Sequence, residues 1–532
     1  MQRIGALGAR EDLMTTVRRI DDALSTRDDH LYIEECDTVD LIDRFGSPLF
    51  VLSEDQIRRN ARRFHRAFQV GWTDGPLQVL PAAKANWIPA AQRILAEEGC
   101  GCDIYSPGEL TVALEAGFNP ATISVNGVPK DDEHIRRAIQ VGARITIDSV
   151  EEVDVIERTA ADLDRVAKVR LRLKPAISGF VHHSDFSPTG LVPTDIAAMV
   201  YKGGLALEEV LEIGPRILEM PHVELVGFHE HHGRHHPSTR YWVAQMKAYA
   251  SELGRVCRAL GGYQPQEIDI GGGFAVPRDP FNAATDYSEP LQLAALHTIS
   301  RALKLLGDRN RYGVLRRLIA TLVSHPNERP APTIEDYADA CTRTLREELP
   351  RNEIRTEGLV LQIEPGRAMH GNAGIHLTTV RNIKRIRYPI HWNLIVVDTT
   401  EFWFTGGRYE HHLHDYVFAN KTGAPLVDKA DVVGRSCYGD RLMPIVRVPA
   451  VEVGDILALL DTGAYQEVSM SNFNAIPRPA TVLVRGDQAF VVRRRETEAD
   501  VFRRDVIPDH LRRPHRSSVP DLTYARSGSA GA

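Results

Sequence analysis

Little in this 532-residue chain points to a membrane, a secreted scaffold or a nucleic acid. No run approaches the ~20 consecutive apolar residues that a membrane-spanning helix needs. The six cysteines, at 36, 100, 102, 257, 341 and 437, are too few and too scattered for a disulfide framework. Cys100 and Cys102 flank a single glycine, too close for the usual zinc pair. Positive charge is not in excess: 64 Lys and Arg against 71 Asp and Glu give −7, which argues against nucleic acid as a main partner. Met1–Arg10 lacks the apolar core of a secretory leader, so a reducing cytoplasm is the expected compartment. Beyond the alternating units described next, no internal repeat is visible. What remains is 43% hydrophobic and long enough to build two cores.

The apolar runs that do occur are short and regularly placed. Strands are predicted at Leu77–Ala83, Cys102–Ser106, Thr122–Asn126, Arg144–Asp148, Val169–Leu173, Leu225–His231, Glu267–Ile270 and Leu359–Glu364. Helical spacing separates most of them, at Pro89–Glu98, Gly108–Ala116, Asp131–Val141, Val150–Leu163, Ser238–Leu260 and Ile334–Glu348. Eight strands alternating with helices favour a closed (β/α)8 TIM barrel over an open sheet. Later runs, at Leu394–Asp398, Asp455–Leu460, Thr481–Arg485 and Ala489–Val492, predict a C-terminal β-rich domain, a β-barrel or sandwich. The fold class is therefore α/β.

Domain limits follow from the same pattern. Residues 1–40 read as a charged, partly helical extension, and 41–74 as a strand and helix leading into the barrel. Ser53 and Gln56, three apart, give that helix a capping box. The barrel spans 75–372, with an insertion at about 280–332 in which Leu291–Leu306 has helical periodicity. A loop of that length folds or has a function, so a helical lid or interface element is expected there. The β-domain spans 373–511, and 512–532 read as a disordered tail.

In such barrels chemistry sits at the C-terminal strand ends, and the fold alone names no activity. Lys84 stands where the first strand gives way to a helix. Partial desolvation there lowers an amine's pKa, and a neutral amine can form a Schiff base with an aldehyde. Asp103 and Ser106 follow the second strand, and Arg172 lies near the end of the fifth. The seventh strand runs into Gly271-Gly272-Gly273-Phe274 and the eighth into Glu364-Pro365-Gly366-Arg367. Glycines let backbone N–H groups approach an anion, and arginine adds a charge-assisted fork. A Schiff-base lysine with two phosphate turns points to pyridoxal 5′-phosphate (PLP). The sixth strand ends in a histidine-rich loop, where His229, His231, His232, His235 and His236 would also suit zinc. A metal-dependent barrel hydrolase is thus the rival from another class, but it leaves Lys84, both glycine turns and Glu364 unexplained. His411, His412 and His414 form a second group, read as solvated loop.

On these motifs the chain resembles the fold-type III PLP-dependent decarboxylases, the group of diaminopimelate, ornithine and arginine decarboxylases, from about Gly46 to about Val492. The matching segments stand in family order: Lys84-Ala85-Asn86, Cys102 to Ser106 with Gly108-Glu109-Leu110, Asn126-Gly127, His229 to Gly233, Gly271 to Phe274, Glu364 to Arg367, Cys437 to Asp440, and Asp461 to Tyr465. The resemblance implies that Lys84 carries the cofactor as a Schiff base and that Asp103 sets its charge. His231 would stack on the pyridine ring and Glu364 would face its nitrogen. Gly271, Gly272, Gly273, Gly366, Arg367 and Tyr465 would hold the phosphate. It implies a homodimer in which Cys437 reaches the site of a second copy and donates a proton at Cα.

A carboxylate at the ring nitrogen favours decarboxylation; racemisation or aldol chemistry on the same fold is the alternative, and a non-catalytic PLP-binding protein a third reading. Departures from the family pattern bear on the substrate. Cys437-Tyr438-Gly439-Asp440 is one residue shorter than usual and lacks the glutamate that grips a distal ammonium. The segment Gly407-Arg408-Tyr409-Glu410-His411-His412 replaces an arginine-containing one, Arg234 stands for a serine, and Lys202-Gly203-Gly204 for Lys-Phe-Gly. These changes point away from diaminopimelate itself. They favour another basic, diamino or modified amino acid, with Asp440, Tyr438 and Arg408 as candidate contacts and no resident metal.

Overall fold

A computed structural model describes residues 23–183, 191–193, 195–196, 201–232, 238–276, 298–299, 301–307, 312–315, 331–388, 390–404 and 414–512. Eight short strands form the barrel: β1 Leu77–Val79, β2 Cys102–Ile104, β3 Ile123–Val125, β4 Arg144–Ile147, β5 Ala167–Leu173, β6 Val223–Glu230, β7 Glu267–Asp269 and β8 Val360–Ile363. Their order around the sheet is β1-β8-β7-β6-β5-β4-β3-β2, and every pair is parallel. A parallel bridge from Ala82 to Asp103 brings β1 and β2 together and closes the ring beside Lys84. All eight strands expected from the apolar runs are present.

Alternation along these strands sorts the side chains. Ile123, Val125, Ile145, Ile147, Val169, Leu171, Ile268, Leu361 and Ile363 belong to the main apolar core. Their neighbours of opposite parity are polar: Ser124 and Asn126, Thr146 and Asp148, Arg170 and Arg172, Glu267 and Asp269, Gln362 and Glu364. A period of two puts each set on its own face. The barrel thus has a hydrogen-bonded polar interior instead of the branched apolar filling such barrels often carry.

Among the described residues, seven helices make the crossovers, at Pro89–Glu97, Pro107–Ala116, Asp132–Val141, Glu152–Asp162, Leu207–Glu219, Thr239–Ala259 and Ile334–Arg351. An eighth, Glu54–Gly71, precedes the barrel and packs between Ile334–Arg351 and Pro89–Glu97. Ser53 opens it, its hydroxyl accepting from Gln56 N–H at 3.0 Å. The sequence reading does not include Leu207–Glu219, a helix that carries Gly214-Pro215 in its interior. Val210, Ile213, Gly214 and Ile217 are nevertheless buried along one face, and packing overrides the local signal.

The second domain is a mixed sheet. Its strands are β9 Gly374–Ile386, β10 Trp392–Val397, β11 Tyr416–Phe418, β12 Asp428–Val433, β13 Arg441–Val448, β14 Ile456–Leu459, β15 Ala480–Arg485 and β16 Gln488–Arg493. The early strand Leu49–Ser53 lies inside it, antiparallel to β9 and parallel to β15. Residues 1–22 of the expected partly helical extension lie outside the described residues; the rest of it supplies three short strands, Leu24–Arg27, His30–Ile33 and Cys36–Asp37, and the start of a helix, Thr38–Phe45. Leu31, Ile33 and Cys36 pack with Leu377, Val417 and Val482, so this segment completes the β-domain core. Most of 280–332 and the tail beyond 512 lie outside the described residues, as does much of the helical element expected there. Among the described residues no helix is long and apolar enough to cross a membrane.

Candidate active site

Lys84 sits in a 3-10 turn, Ala83–Ala85, directly after β1. Its Nζ lies 3.0 Å from Asp103 Oδ2 at β2. Asn126, one residue past β3, donates from Nδ2 to Asp103 Oδ1 and to Glu364 Oε1, each at 2.7 Å. Glu364 follows β8, and its Oε2 is 3.3 Å from His229 Nε2 on β6. Five groups from five strand ends thereby form one hydrogen-bonded row across the mouth of the barrel.

Behind the row stands Arg170, fully buried on β5. It donates to Asp269 Oδ2 at 2.6 Å and Thr146 Oγ1 at 3.1 Å, and also to Gln362 and Ser124. Asp148 gathers the neighbouring loops, accepting from Gly127 N–H (3.0 Å), Gly204 N–H (2.9 Å), Lys130 Nζ (3.3 Å) and Arg172 (3.2 Å). Arg172 also donates to the His231 carbonyl at 2.9 Å.

Burial and crowding shift these groups. Glu364 is pushed up to about 7 by burial and the nearby Asp103 charge, opposed by Arg170, Lys84 and the Asn126 hydrogen bond. Asp269 is likewise pushed up to about 7, by burial and by Glu364. Burial takes His229 down to about 4, and takes His231 well below the ordinary histidine range with help from Arg172 and Lys84. Lys84 departs from the expected lowering. Burial does oppose its charge, but attraction to Asp103, Tyr465 and Glu364 outweighs that and holds the ammonium above the usual lysine range.

The glycine turns face this row. Gly271 (φ +65°) donates its N–H to Asp269 Oδ1 at 2.9 Å, and Gly272 N–H donates to His231 Nδ1 at 3.1 Å. Both amides, expected at the phosphate, are engaged inside the site. The second bond fixes the histidine: with Nδ1 accepting, the ring proton is on Nε2. A Cβ at Gly272 would lie 2.0 Å from the Glu364 carbonyl, and one at Gly366 would lie 2.3 Å from the Tyr465 hydroxyl. Phe274 anchors the first turn, stacked on Trp242 with centroids 4.5 Å apart and packed against Phe64, Phe68 and Tyr337. Tyr465 comes from the second domain. Its N–H donates to the Ala85 carbonyl at 2.7 Å, and Arg367 lies over its ring at 5.1 Å.

The structure therefore brings together Lys84, Asp103, His231, Gly271, Gly272, Gly273, Glu364, Gly366, Arg367 and Tyr465. These residues fit PLP. Lys84 offers an amine, Glu364 a buried acid for a ring nitrogen, and the absence of a Cβ at Gly272 and Gly366 lets the two turns close on the Glu364 carbonyl and the Tyr465 hydroxyl beside them. Among the described residues of the histidine loop, His232 is taken up by protein acceptors. His232 meets acceptors on both sides, the Glu230 carboxylate at 3.0 Å and the Pro175 carbonyl at 2.8 Å, while His235 and His236 lie outside the described residues. His229, Asp269 and Glu364 do bring ligand atoms within 4.8 Å of one another, but the Arg170 guanidinium at Asp269 already supplies the cluster with a cation.

The second-domain candidates separate. Cys437 is exposed and bonded to Asn474, and Tyr438 is exposed with its ring 5.7 Å from that of Phe402. Asp440 is buried, and its carboxylate is turned into its own loop: Oδ1 accepts from Glu401 N–H at 2.6 Å and Thr400 Oγ1 at 3.2 Å, and Oδ2 from Ser436 N–H at 2.6 Å. Arg408, His411 and His412 lie outside the described residues; His414 Nδ1 is 2.8 Å from the Leu460 carbonyl. Asn126 and Arg170 are site residues that the sequence reading did not assign. Parity was the available signal for Arg170, since it shares a strand face with Arg172.

Comparison with known proteins agrees with this geometry. Residues 54–306 match the family described as pyridoxal-dependent decarboxylase, pyridoxal binding domain. The chain is 30% identical over 483 residues to a diaminopimelate decarboxylase of Methanothermobacter thermautotrophicus, covering 91% of this chain and 97% of that one. It is 30% identical over 484 residues to the Pseudomonas aeruginosa diaminopimelate decarboxylase, covering 90% and 98%. The crystal structure of the Methanocaldococcus jannaschii diaminopimelate decarboxylase with L-lysine superposes with a TM-score of 0.75 at 26% identity, covering 92% of this chain and 99% of that one. With a parallel barrel and these relatives, the chain belongs to the fold-type III pyridoxal-dependent decarboxylase family. It is a PLP-dependent amino-acid decarboxylase.

Proposed function

We propose that the substrate is an amino acid with a second amino group, and that Lys84 is the amine that holds the cofactor's aldehyde. The observation that carries this reading is the row Lys84–Asp103–Asn126–Glu364, which links an amine to a buried acid by hydrogen bonds across the strand ends. When bound, the cofactor supplies an electron sink for the pair of electrons left on Cα as CO2 departs. Glu364 holds a proton at the ring nitrogen, with Asn126 fixing one of its oxygens and His229 bordering the other. Asp103 pairs with the Lys84 ammonium and orients it. His231, neutral with its proton on Nε2, offers an uncharged ring face.

Gly273, Gly366, Arg367 and Tyr465 hold the phosphate, while Gly271 and Gly272 let the turn pass close to His231 and Glu364. Cys437 acts as proton donor at Cα in the site of a second copy of the chain. Its exposure, and its bonding to Asn474 within its own β-domain, support that role. Tyr438 and Arg408 are proposed for the distal end of the substrate, and Asp440 for holding the loop that carries Tyr438. The relatives named diaminopimelate decarboxylase and the neighbour's complex with L-lysine support a diamino acid.

The test is CO2 release by the PLP-loaded protein from L- and D-amino acids, with meso-diaminopimelate, L-lysine and L-ornithine included and Lys84→Ala as control. Release from a diamino acid that disappears in Lys84→Ala is expected. Inversion at Cα without CO2 would overturn the decarboxylase assignment in favour of a racemase.

A further inference from the structure

The loop that carries Cys437 is cross-linked more heavily than an exposed turn requires. Gly434 N–H donates to the Asp440 carbonyl at 2.7 Å, and a Cβ at Gly434 would lie 2.4 Å from the Asp440 carboxylate. Asp440 (φ +43°) ties Ser436 N–H to Glu401 N–H. Glu401 begins the turn that carries Phe402, whose ring stacks on Phe473 at 4.1 Å. Phe473 precedes Asn474 and Ala475, two non-glycine residues in the left-handed region at φ +59° and +55°. Such conformations cost free energy and persist where surrounding contacts enforce them. Asn472 enforces this one, donating to the Ile476 carbonyl at 3.0 Å and to Glu496 at 2.7 Å.

The outcome of that enforcement is a two-point contact. Cys437 N–H donates to Asn474 Oδ1 at 2.9 Å, and Asn474 Nδ2 donates to Cys437 Sγ at 3.2 Å. The first bond decides the second. A backbone N–H can only donate, so the amide oxygen must face it and the NH2 must face sulfur. A donor aimed at sulfur favours thiolate over thiol and fixes where the sulfur points. We propose that Asn474 is the positioning residue for Cys437, a clamp that orients the sulfur and aims a hydrogen-bond donor at it for proton transfer.

This proposal rests on the role assigned to Cys437 above. Among the described residues, the charged groups on the surrounding elements are Arg435, Asp440, Arg441 and Glu401, with Arg478 and Glu496 behind the Asn474 turn. Asp440 is occupied by its own loop, and Glu496 by Arg478 and Asn472.

The test reads the thiol directly. The other five cysteines are buried, so alkylation of the folded protein reports Cys437. Asn474→Asp keeps an acceptor for the Cys437 N–H and removes the donor to sulfur; Asn474→Ala removes both without adding charge. Iodoacetamide alkylation of each cofactor-loaded protein is followed across pH. Both variants are expected to react more slowly at about pH 7.5, Asn474→Asp by about tenfold or more, with the midpoint of its pH profile raised by about one unit. A parental pH profile in both variants overturns the proposal, because a merely structural asparagine would change fold stability without moving that midpoint. Turnover separates the two readings. If Cys437→Ala decarboxylates at the parental rate while Asn474→Asp still shifts the alkylation midpoint, the clamp stands as a setter of thiol ionisation and the proton-donor role fails.

Discussion

Replacing Glu364 by glutamine is expected to cost activity and increase the stability of the cofactor-free protein. The carboxyl is 5% exposed and pushed from an ordinary 4.5 up to about 7. A carboxyl raised in the folded state contributes its stability below the unfolded pKa and loses it as pH rises through the folded pKa. The difference of 2.5 units between these values corresponds to about 3 kcal/mol above pH 7. Asp269 shares the field and is raised to a similar value, so the two protons belong partly to the pair, and about 2–3 kcal/mol is the reasonable expectation.

Glutamine keeps the shape and the acceptor for Asn126 but carries no charge. Urea denaturation of the unloaded parent and Glu364→Gln, followed by far-UV circular dichroism, should show near-equal stability at about pH 4.5 and a variant more stable by about 2–3 kcal/mol at about pH 8. The same variant should lose most of its decarboxylation. A stability difference that is absent, or equally large at both pH values, would refute the assignment of a strained buried acid.

Three other outcomes follow from the geometry. Gly272→Ala forces a Cβ to within 2.0 Å of the Glu364 carbonyl, so PLP affinity measured by titration should fall at least about tenfold while the fold is retained. Phe274→Ala empties the aromatic cluster under the first glycine turn and should destabilise the protein by about 3–5 kcal/mol in urea, with weaker cofactor binding. If Cys437 serves a second copy, inactive Lys84→Ala and Cys437→Ala proteins mixed and re-equilibrated should regain up to about a quarter of parental turnover; no recovery, with exchange verified, would place Cys437 in its own chain's site.

Much of this architecture is legible in the chain. The eight barrel strands show as short apolar runs between helical patterns, and the chemistry-bearing residues punctuate their ends. What stays hidden depends on which groups meet across the barrel. Val169-Arg170-Leu171-Arg172-Leu173 reads as an apolar strand with two charges, and nothing in it shows that Arg170 meets Asp269, Gln362, Ser124 and Thr146 from other strands. Lys84 is similar. Desolvation alone is inferable from its place at a strand end, but the carboxylates that reverse its effect arrive from β2 and β8. Gly214-Pro215 lies inside a helix that is sustained by burial of Val210, Ile213 and Ile217. Leu49–Ser53 looks like an entry to the barrel, yet it pairs with β9 and β15, more than 300 residues later.

The most direct test of the central claim is to locate the cofactor covalently. Borohydride reduction of the PLP-loaded protein, followed by digestion and mass spectrometry, should place the pyridoxyl group on the peptide containing Lys84, with none on Lys84→Ala. Modification of another lysine in its place, or of none when the cofactor is demonstrably bound, would contradict the account.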